Sequence, residues 1–189
     1  MFNKKIGYFH GRFQPFHLGH LDVVKASIKK CDILAIGISN PFRTKPIPDI
    51  ESAFINIDDL SFARKPENNP WPYWLRLLMI NESLKLEEIN LSKVLIIPNV
   101  NNTGLPLNEI VFPKAITKVF IVLKDKHNKN RYKKYKEEGW DIEVMPTSEK
   151  CPGSRIIRTA IRNGDSWEEY VPKGTADILH WYLNQKSKF

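Results

Sequence analysis

The chain has 189 residues, of which 42% are hydrophobic and 26% charged. That length and composition are typical of a single globular domain whose hydrophobic core needs no disulfide staples. With 29 basic and 21 acidic residues the net charge is +8, which suits a polyanionic ligand but does not separate nucleotides from nucleic acids.

Short apolar runs alternate with amphipathic stretches, which is typical of a parallel sheet covered by helices. In chain order the patterns predict strand 5–10, helix 18–30, strand 32–38, helix 71–86, strands 93–98 and 118–123, helix 128–138, strand 140–145 and helices 153–163 and 173–185. We expect an α/β fold with a doubly wound, Rossmann-like parallel sheet and helices on both faces, in one domain spanning residues 1–189. In such folds the ligand lies beyond the carboxyl ends of the strands.

Two other classes of protein are not indicated. No stretch approaches the roughly 18 apolar residues that a membrane-spanning helix requires, so we expect a cytoplasmic protein without a membrane partner. Cys31 and Cys151 match no paired metal-ligand spacing, and we interpret them as buried or idle thiols.

The most informative segment, residues 11–20 (GRFQPFHLGH), joins the first predicted strand to the first helix. A helix N-terminus offers unpaired amides and a positive dipole end to phosphates. His17 and His20 are three residues apart, so they project from nearly the same face and are placed to grip one phosphate chain. Gly19 removes a side chain that would crowd the ligand, and Gly11 permits close backbone approach.

Other assignments of this segment fit less well. The segment lacks the Gly-Lys-Ser/Thr ending of a Walker phosphate-binding loop, and it lacks the glycine spacing of a dinucleotide-binding fingerprint. A zinc site would need a third ligand, and no other histidine stands at a recognisable ligand spacing. We therefore predict a phosphate site and no protein-bound metal.

GRFQPFHLGH resembles the signature of the HxGH nucleotidylyltransferase superfamily, and in particular that of archaeal-type nicotinamide mononucleotide adenylyltransferases. The resemblance implies AMP transfer from ATP to nicotinamide or nicotinate mononucleotide, with release of pyrophosphate and formation of a dinucleotide such as NAD. It also implies that His17 and His20 bind and stabilise the triphosphate, with Arg12, Phe13 and Gln14 in the nucleotide-binding loop. Mg²⁺ would be held through the ATP phosphates.

Residues 152–158 resemble a second family element, a turn that opens a helix and delivers an arginine to the β and γ phosphates. Measured back from Gly164, Arg158 takes the family arginine's position. Ser154 is shifted, and Arg155 stands where the family has threonine. Whether Arg155 or Arg158 reaches the phosphates stays open, and Ser154 suits a plain helix N-cap as well as a phosphate ligand.

The middle of the chain carries weaker resemblances. Asn40 begins an Asn-Pro-Phe similar to the family's, and Arg76 keeps one member of a family Glu-Arg pair, so both are expected to bind the acceptor. Trp74 is a candidate for stacking on a pyridine ring, with core or lid packing as the alternative. Asp125 is expected to contact adenosine, or else to be a turn residue after a strand.

The proline-rich segment 39–70 predicts a long loop, which we expect to shape acceptor selectivity unless it packs on a sheet edge or a neighbouring subunit.

The expected partners are ATP and a phosphorylated acceptor, while nucleic-acid binding by the basic run 124–136 is not favoured and a homo-oligomer is left open. The alternatives are transfer from CTP or to another phosphorylated or phosphonate acceptor, and a nucleotide-sensing or RNA-binding module on the same scaffold.

Overall fold

The computed structural model describes residues 4–39, 66–99, 112–146 and 151–186. In chain order the elements are β1 (Ile6–Gly11), α1 (Leu18–Ser27), β2 (Ile33–Ser39), α2 (Tyr73–Leu86), β3 (Val94–Asn99), β4 (Thr117–Ile121), α3 (Lys126–Glu137), β5 (Asp141–Val144), α4 (Ser154–Asn163) and α5 (Lys173–Lys186). Every helix and strand predicted from the sequence is present, with ends displaced by a few residues. Among the helices of the described ranges, none has both the length and the apolar character to cross a membrane. Most of segment 39–70 lies outside the described residues.

All strand pairs are parallel, and the strand order is β3-β2-β1-β4-β5. The chain builds the sheet outward from β1 to β3, then returns to the other side of β1 with β4 and β5. The prediction of a doubly wound, Rossmann-like sheet is confirmed. Its topological switch point lies between β1 and β4, where folds of this type bind ligands beyond the carboxyl ends of the strands.

Both faces of the sheet are buried, as a doubly wound fold requires. Because neighbouring residues of a strand point to opposite faces, β1 contributes Tyr8 to one apolar cluster and Phe9 to another. The Tyr8 cluster includes Tyr135 of α3. The Phe9 cluster is larger and takes residues from α1, α2, α4 and α5.

Helices α2 and α5 approach each other closely at Gly174. A Cβ at this position would stand 2.3 Å from the backbone nitrogen of Ser83 and 2.4 Å from the carbonyl carbon of Glu82. Beside it, the buried hydroxyl groups of Ser83 and Thr175 form a hydrogen bond of 3.0 Å. Only a residue without a side chain allows this contact between the two backbones.

We therefore expect Gly174→Ala to lower the free energy of unfolding by about 2 kcal/mol, since overpacking against a backbone forces the helices apart. Urea denaturation measures the effect. Gln185→Ala, at an exposed position of the same helix, is the control and should change stability by less than about 0.5 kcal/mol. Equal stability of the two variants would contradict the close approach.

Candidate active site

Residues 12–17, here called the motif loop, connect β1 to α1 and are held in an unusual conformation. Phe13 has φ of 51°, in the left-handed region that side chains disfavour, and the Gln14–Pro15 peptide is cis. The buried amide of Gln14 donates from Nε2 to the carbonyl of Trp71 (2.9 Å) and accepts from the Trp71 N–H (3.1 Å). A left-handed backbone at a residue with a side chain, as at Phe13, is typical of functional sites when its surroundings hold it in place.

The two histidines lie where the motif loop enters α1. The backbone N–H of His17 donates to Nδ1 of His20 (3.3 Å), and the imidazole rings stack with centroids 3.6 Å apart. A Cβ on Gly19 would stand 3.3 Å from the His17 ring, so glycine leaves room for this ring. The aromatic rings of Phe13 and Phe16 lie 4.9 and 5.8 Å from the His20 ring, which restricts its movement.

Both histidines are neutral at physiological pH. Burial, together with the positive charge of Lys124, lowers the pKa of His17 to about 3. Burial, followed by the proximity of His17 and Lys124, lowers the pKa of His20 well below its usual value. Because Nδ1 of the neutral His20 ring accepts a hydrogen bond, its proton resides on Nε2, which is then available as an uncharged donor.

The lowered pKa of His17 makes stability depend on pH. Its ring binds a proton near pH 6.5 in the unfolded chain and only near pH 3 in the folded protein. Between these values the unfolded chain binds the proton more readily, which favours unfolding. The neutral ring therefore contributes fully to the free energy of unfolding above about pH 6.5, and this contribution is lost as the pH falls toward about 3. Between about pH 7.5 and about pH 5, the wild type should lose roughly 1 to 2 kcal/mol more stability than His17→Asn.

Urea denaturation at both pH values measures this difference. Asparagine suits the residue preceding a helix and does not titrate, and the carboxylates are common to both proteins. A parallel decline of the two proteins would contradict the lowered pKa.

The N-terminal end of α4 lies against the motif loop. The Cys151 Sγ lies 3.3 Å from Nδ1 of His17. The Ser154 hydroxyl donates to the carbonyl of Pro15 (3.5 Å), and Nη1 of Arg158 donates to the carbonyl of Gln14 (2.8 Å). These contacts place the first turns of α1 and α4 side by side, so the positive ends of two helix dipoles converge.

Cationic side chains complete this region. Lys124, just after β4, donates from Nζ to the carbonyl of Cys151 (3.2 Å) and lies 3.9 Å from the position that a Gly153 Cβ would take. Arg155 is exposed on the first turn of α4. Nη1 of Arg12 is buried, and within the described ranges it has no hydrogen-bond partner. An unpaired buried donor among helix N-termini and cations indicates a site for an anionic ligand.

Metal ligands are not gathered here in the same way. Within the residues that the structure describes, no group of three histidine, cysteine, aspartate or glutamate side chains is placed to hold a metal ion. The arrangement instead offers hydrogen-bond donors and positive charge at the switch point of the sheet.

Comparison with known proteins agrees with this geometry. Residues 8–54 match the family described as "Cytidylyltransferase-like". The nicotinamide-nucleotide adenylyltransferase of Saccharolobus solfataricus is 32% identical over 180 residues, covering 88% of this chain and 85% of that protein. The chain belongs to the nicotinamide-nucleotide adenylyltransferase family. It is a nucleotidyltransferase of the HxGH type, as the motif predicts.

Two further similarities extend this result. The phosphonoformate cytidylyltransferase of Streptomyces viridochromogenes is 29% identical over 178 residues, covering 92% of this chain and 89% of that protein. A bifunctional NMN adenylyltransferase/ADP ribose pyrophosphatase from Francisella tularensis, solved with AMP and a manganese ion, superimposes with a TM-score of 0.66 at 20% identity. That match covers 94% of this chain and 49% of the other, so the chain spans about half the length of the bifunctional protein and shares the fold of that half.

Several residues predicted from the adenylyltransferase resemblance meet at this site: His17, His20, Gly19, Arg12, Ser154 and Arg155. Others in the motif loop serve the loop itself. Gln14 uses its amide on the backbone of Trp71, and Gly11 makes room for the Phe13 ring, which would lie 3.1 Å from a Gly11 Cβ. The ligand contacts of these residues stay predictions.

The structure distinguishes the two arginines that the sequence left open. Arg158 is only 4% exposed, and it donates to the carbonyl of Gln14 and, from Nη2, to Oδ1 of Asn68 (3.1 Å). Burial, with the nearby charges of Arg12, Arg162 and Arg155, lowers its pKa to about 10, so it remains charged. Arg158 thus supports the motif loop, while Arg155 is exposed on the first turn of α4. Contact of either arginine with the phosphates stays a prediction.

Two of the three residues predicted to bind the acceptor, Arg76 and Trp74, lie in the described part of the chain and contact other parts of the protein. Arg76 is 1% exposed and donates from Nη1 to the carbonyls of Arg12 and Ser39, both at 2.7 Å. The Trp74 ring is half exposed and lies about 6 Å from the rings of Trp181 and Tyr182 on α5. In the structure Arg76 therefore holds backbone carbonyls, and Trp74 packs against α5. Contact of either side chain with the acceptor stays a prediction. Asn40 lies outside the described residues.

Asp125 has a local structural role that matches the turn alternative. Its Oδ1 accepts from the backbone N–H of Asn128 (2.7 Å) and so caps α3. Its carboxylate also lies close enough to Arg12 to counteract the lowering of that residue's pKa by burial. Contact with adenosine stays a prediction.

Sequence reasoning missed two residues of the site. From the sequence, Lys124 has no assigned role of its own in the basic run and beside the predicted adenosine contact Asp125, and Cys151 is interpreted as a buried or idle thiol. The available signal was position, because Lys124 ends the segment after β4 at the switch point and Cys151 precedes the Pro-Gly-Ser turn of α4.

Proposed function

We propose that this protein transfers AMP from ATP to nicotinamide or nicotinate mononucleotide, releasing pyrophosphate and forming a dinucleotide such as NAD. The main support is the convergence of two neutral histidines and Lys124 at the N-termini of α1 and α4. The 32% identity to an adenylyltransferase over most of both chains supports the choice of substrates.

The reaction needs alignment and positive charge rather than a protein base. An ionised phosphate oxygen of the acceptor attacks the α-phosphorus of ATP, the bond from that phosphorus to the bridging oxygen breaks, and pyrophosphate leaves. The attacking oxygen carries no proton, so none has to be removed. Negative charge grows on the α-phosphate and on the leaving group, and fixed donors and cations stabilise it.

The site supplies these groups from rigid elements. Nε2–H of His20, fixed by the Nδ1 hydrogen bond from His17, is suited to donate to a phosphate oxygen. The side chains of Lys124 and Arg155 are suited to supply positive charge to the β and γ phosphates. Mg²⁺ is part of the ATP substrate, bound through its phosphates.

A second candidate is CMP transfer from CTP to a small phosphonate. It is favoured by the similarity to the phosphonoformate cytidylyltransferase, which covers nearly the whole chain, and by the family match to residues 8–54. Leu75 also stands where the adenylyltransferases usually carry the glutamate of their Glu-Arg pair. Both candidates use the same triphosphate half of the site and differ in the base and the acceptor.

An assay of pyrophosphate release separates these candidates. It pairs ATP or CTP, each with Mg²⁺, with one of three acceptors: nicotinamide mononucleotide, nicotinate mononucleotide or phosphonoformate. Mass spectrometry identifies each product. We expect a dinucleotide from ATP and a pyridine mononucleotide. Product only from CTP and phosphonoformate would replace the first proposal by the second, and release in no pairing, with tight RNA binding, would favour a binding module.

A further inference from the structure

Cys151 is held in one place beside the catalytic histidines. Its side chain is 3% exposed, and its Sγ lies 3.3 Å from Nδ1 of His17. Its carbonyl accepts from Nζ of Lys124, and its Cβ lies 3.6 Å from the position that a Gly19 Cβ would take. The thiol also lies 4.0 Å from the carbonyl of Tyr170, so Nδ1 of His17 is the nearer of the two acceptors that its S–H can reach.

We propose that Cys151 is a positioning residue for nucleotidyl transfer: its S–H donates to Nδ1 of His17 and keeps the imidazole proton on Nε2. The catalytic part of this inference rests on the proposed function, whereas the hydrogen bond does not. A neutral imidazole has one donor nitrogen and one acceptor nitrogen, and the partner of one decides the state of the other. Sulfur accepts a hydrogen bond weakly whereas imidazole nitrogen accepts well, and this difference between the acceptors favours donation from the thiol to Nδ1.

A hydrogen bond accepted at Nδ1 then fixes the tautomer of both stacked rings. Nδ1 of His20 accepts from the backbone N–H of His17, and Nδ1 of His17 accepts from Cys151. The backbone N–H of His20 also faces the His17 side chain, but it is already bonded to the carbonyl of His17 (2.8 Å). With Cys151 as the side-chain donor, each ring is left with its proton on Nε2. Two parallel rings in this state present two uncharged donors to one phosphate chain, and a wrong tautomer of either would present a lone pair to an anion instead.

Cys151 also fills space, so the variants must separate a hydrogen bond from packing. Cys151→Ser keeps a donor at nearly the same place, whereas Cys151→Ala removes it. Cys31→Ala is the matched control, because the Cys31 thiol donates to the carbonyl of Ser27 (3.3 Å), at the other end of α1.

Nitrogen NMR of protein labelled with ¹⁵N-histidine tests the hydrogen bond directly and without catalysis, with the His17 signals assigned by their loss in His17→Asn. In the wild type and in Cys31→Ala we expect a protonated Nε2 and an unprotonated Nδ1. In Cys151→Ala the two nitrogen shifts of His17 should converge, as in a mixture of tautomers. A protonated Nδ1 in the wild type, or unchanged shifts in Cys151→Ala, would overturn the proposal.

Steady-state kinetics tests the consequence. We expect Cys151→Ala to lower kcat about tenfold, which is the size of effect seen for residues that orient a metal-ligating histidine in other proteins. The KM of the acceptor should change less than about twofold. Cys151→Ser should recover activity to within about threefold of the wild type. In a His17→Asn background Cys151→Ala should have no further effect, because the cysteine acts through the histidine.

An equal loss in both backgrounds would reduce Cys151 to a packing residue. If the wild type transfers no nucleotide in any pairing, the proposed function fails while the NMR result still decides the hydrogen bond.

Discussion

His20→Ala is expected to lower kcat by at least about 100-fold while the protein remains folded. The reason is the fixed aim of its donor: the ring is held by the stacked His17 ring, by Phe13 and Phe16, and by the hydrogen bond to Nδ1. A preorganised donor to a growing negative charge is worth about 3 kcal/mol in the transition state. Ground-state binding of ATP should weaken much less, since the charge develops only as the bond breaks.

The measurement is pyrophosphate release at saturating substrates, with urea denaturation to verify folding. The variant leaves one backbone N–H without its partner, which costs about 1 kcal/mol of stability. His180→Ala is the control, because His180 lies on the surface, where its Nε2 is 3.2 Å from Oε1 of Glu168. Turnover near the wild-type rate in folded His20→Ala protein would remove His20 from the mechanism.

The elements of the fold could be predicted because their signals are local. The stripe of Leu18, Leu21 and Val24 at helical spacing, and the apolar run of β2, each depend on a few neighbouring residues. Their order along the chain then implies a parallel sheet, and a parallel sheet places its ligand at the carboxyl ends of the strands. The motif could be located for the same reason, since it lies at a junction of strand and helix.

The division of the motif residues between ligand and scaffold could not be predicted, because it depends on contacts between distant residues. Gln14 is bonded to Trp71, 57 residues away, and Arg158 to Gln14, 144 residues away. A buried guanidinium needs partners wherever it lies, so Arg76 and Arg158 satisfy backbone carbonyls of the motif loop. A sequence pattern gives the same letter for an arginine that binds phosphate and for one that holds the loop.

Arg155 and Arg158 are therefore expected to fail in different ways when each is replaced by alanine. Arg155 is exposed on the first turn of α4, two residues after Gly153, which Lys124 approaches. Its loss removes a charge-assisted contact to the nucleotide, which is worth about 1.5 to 3 kcal/mol, so ATP should bind roughly 10- to 100-fold more weakly. The free energy of unfolding should stay within about 0.5 kcal/mol of the wild type.

Arg158→Ala should instead destabilise the fold by about 2 to 3 kcal/mol, because it leaves the buried carbonyl of Gln14 and the Asn68 side chain with one partner fewer. Arg162→Ala, one turn further along α4 and exposed, is the control for the loss of a positive charge, because its Nε donates within the helix, to the carbonyl of Arg158 (3.4 Å). Calorimetric ATP titration and urea denaturation of the three variants measure both effects. If folded Arg158→Ala protein loses ATP affinity while Arg155→Ala binds normally, the family arginine's position is the correct assignment, and the buried guanidinium must release the motif loop when the nucleotide binds.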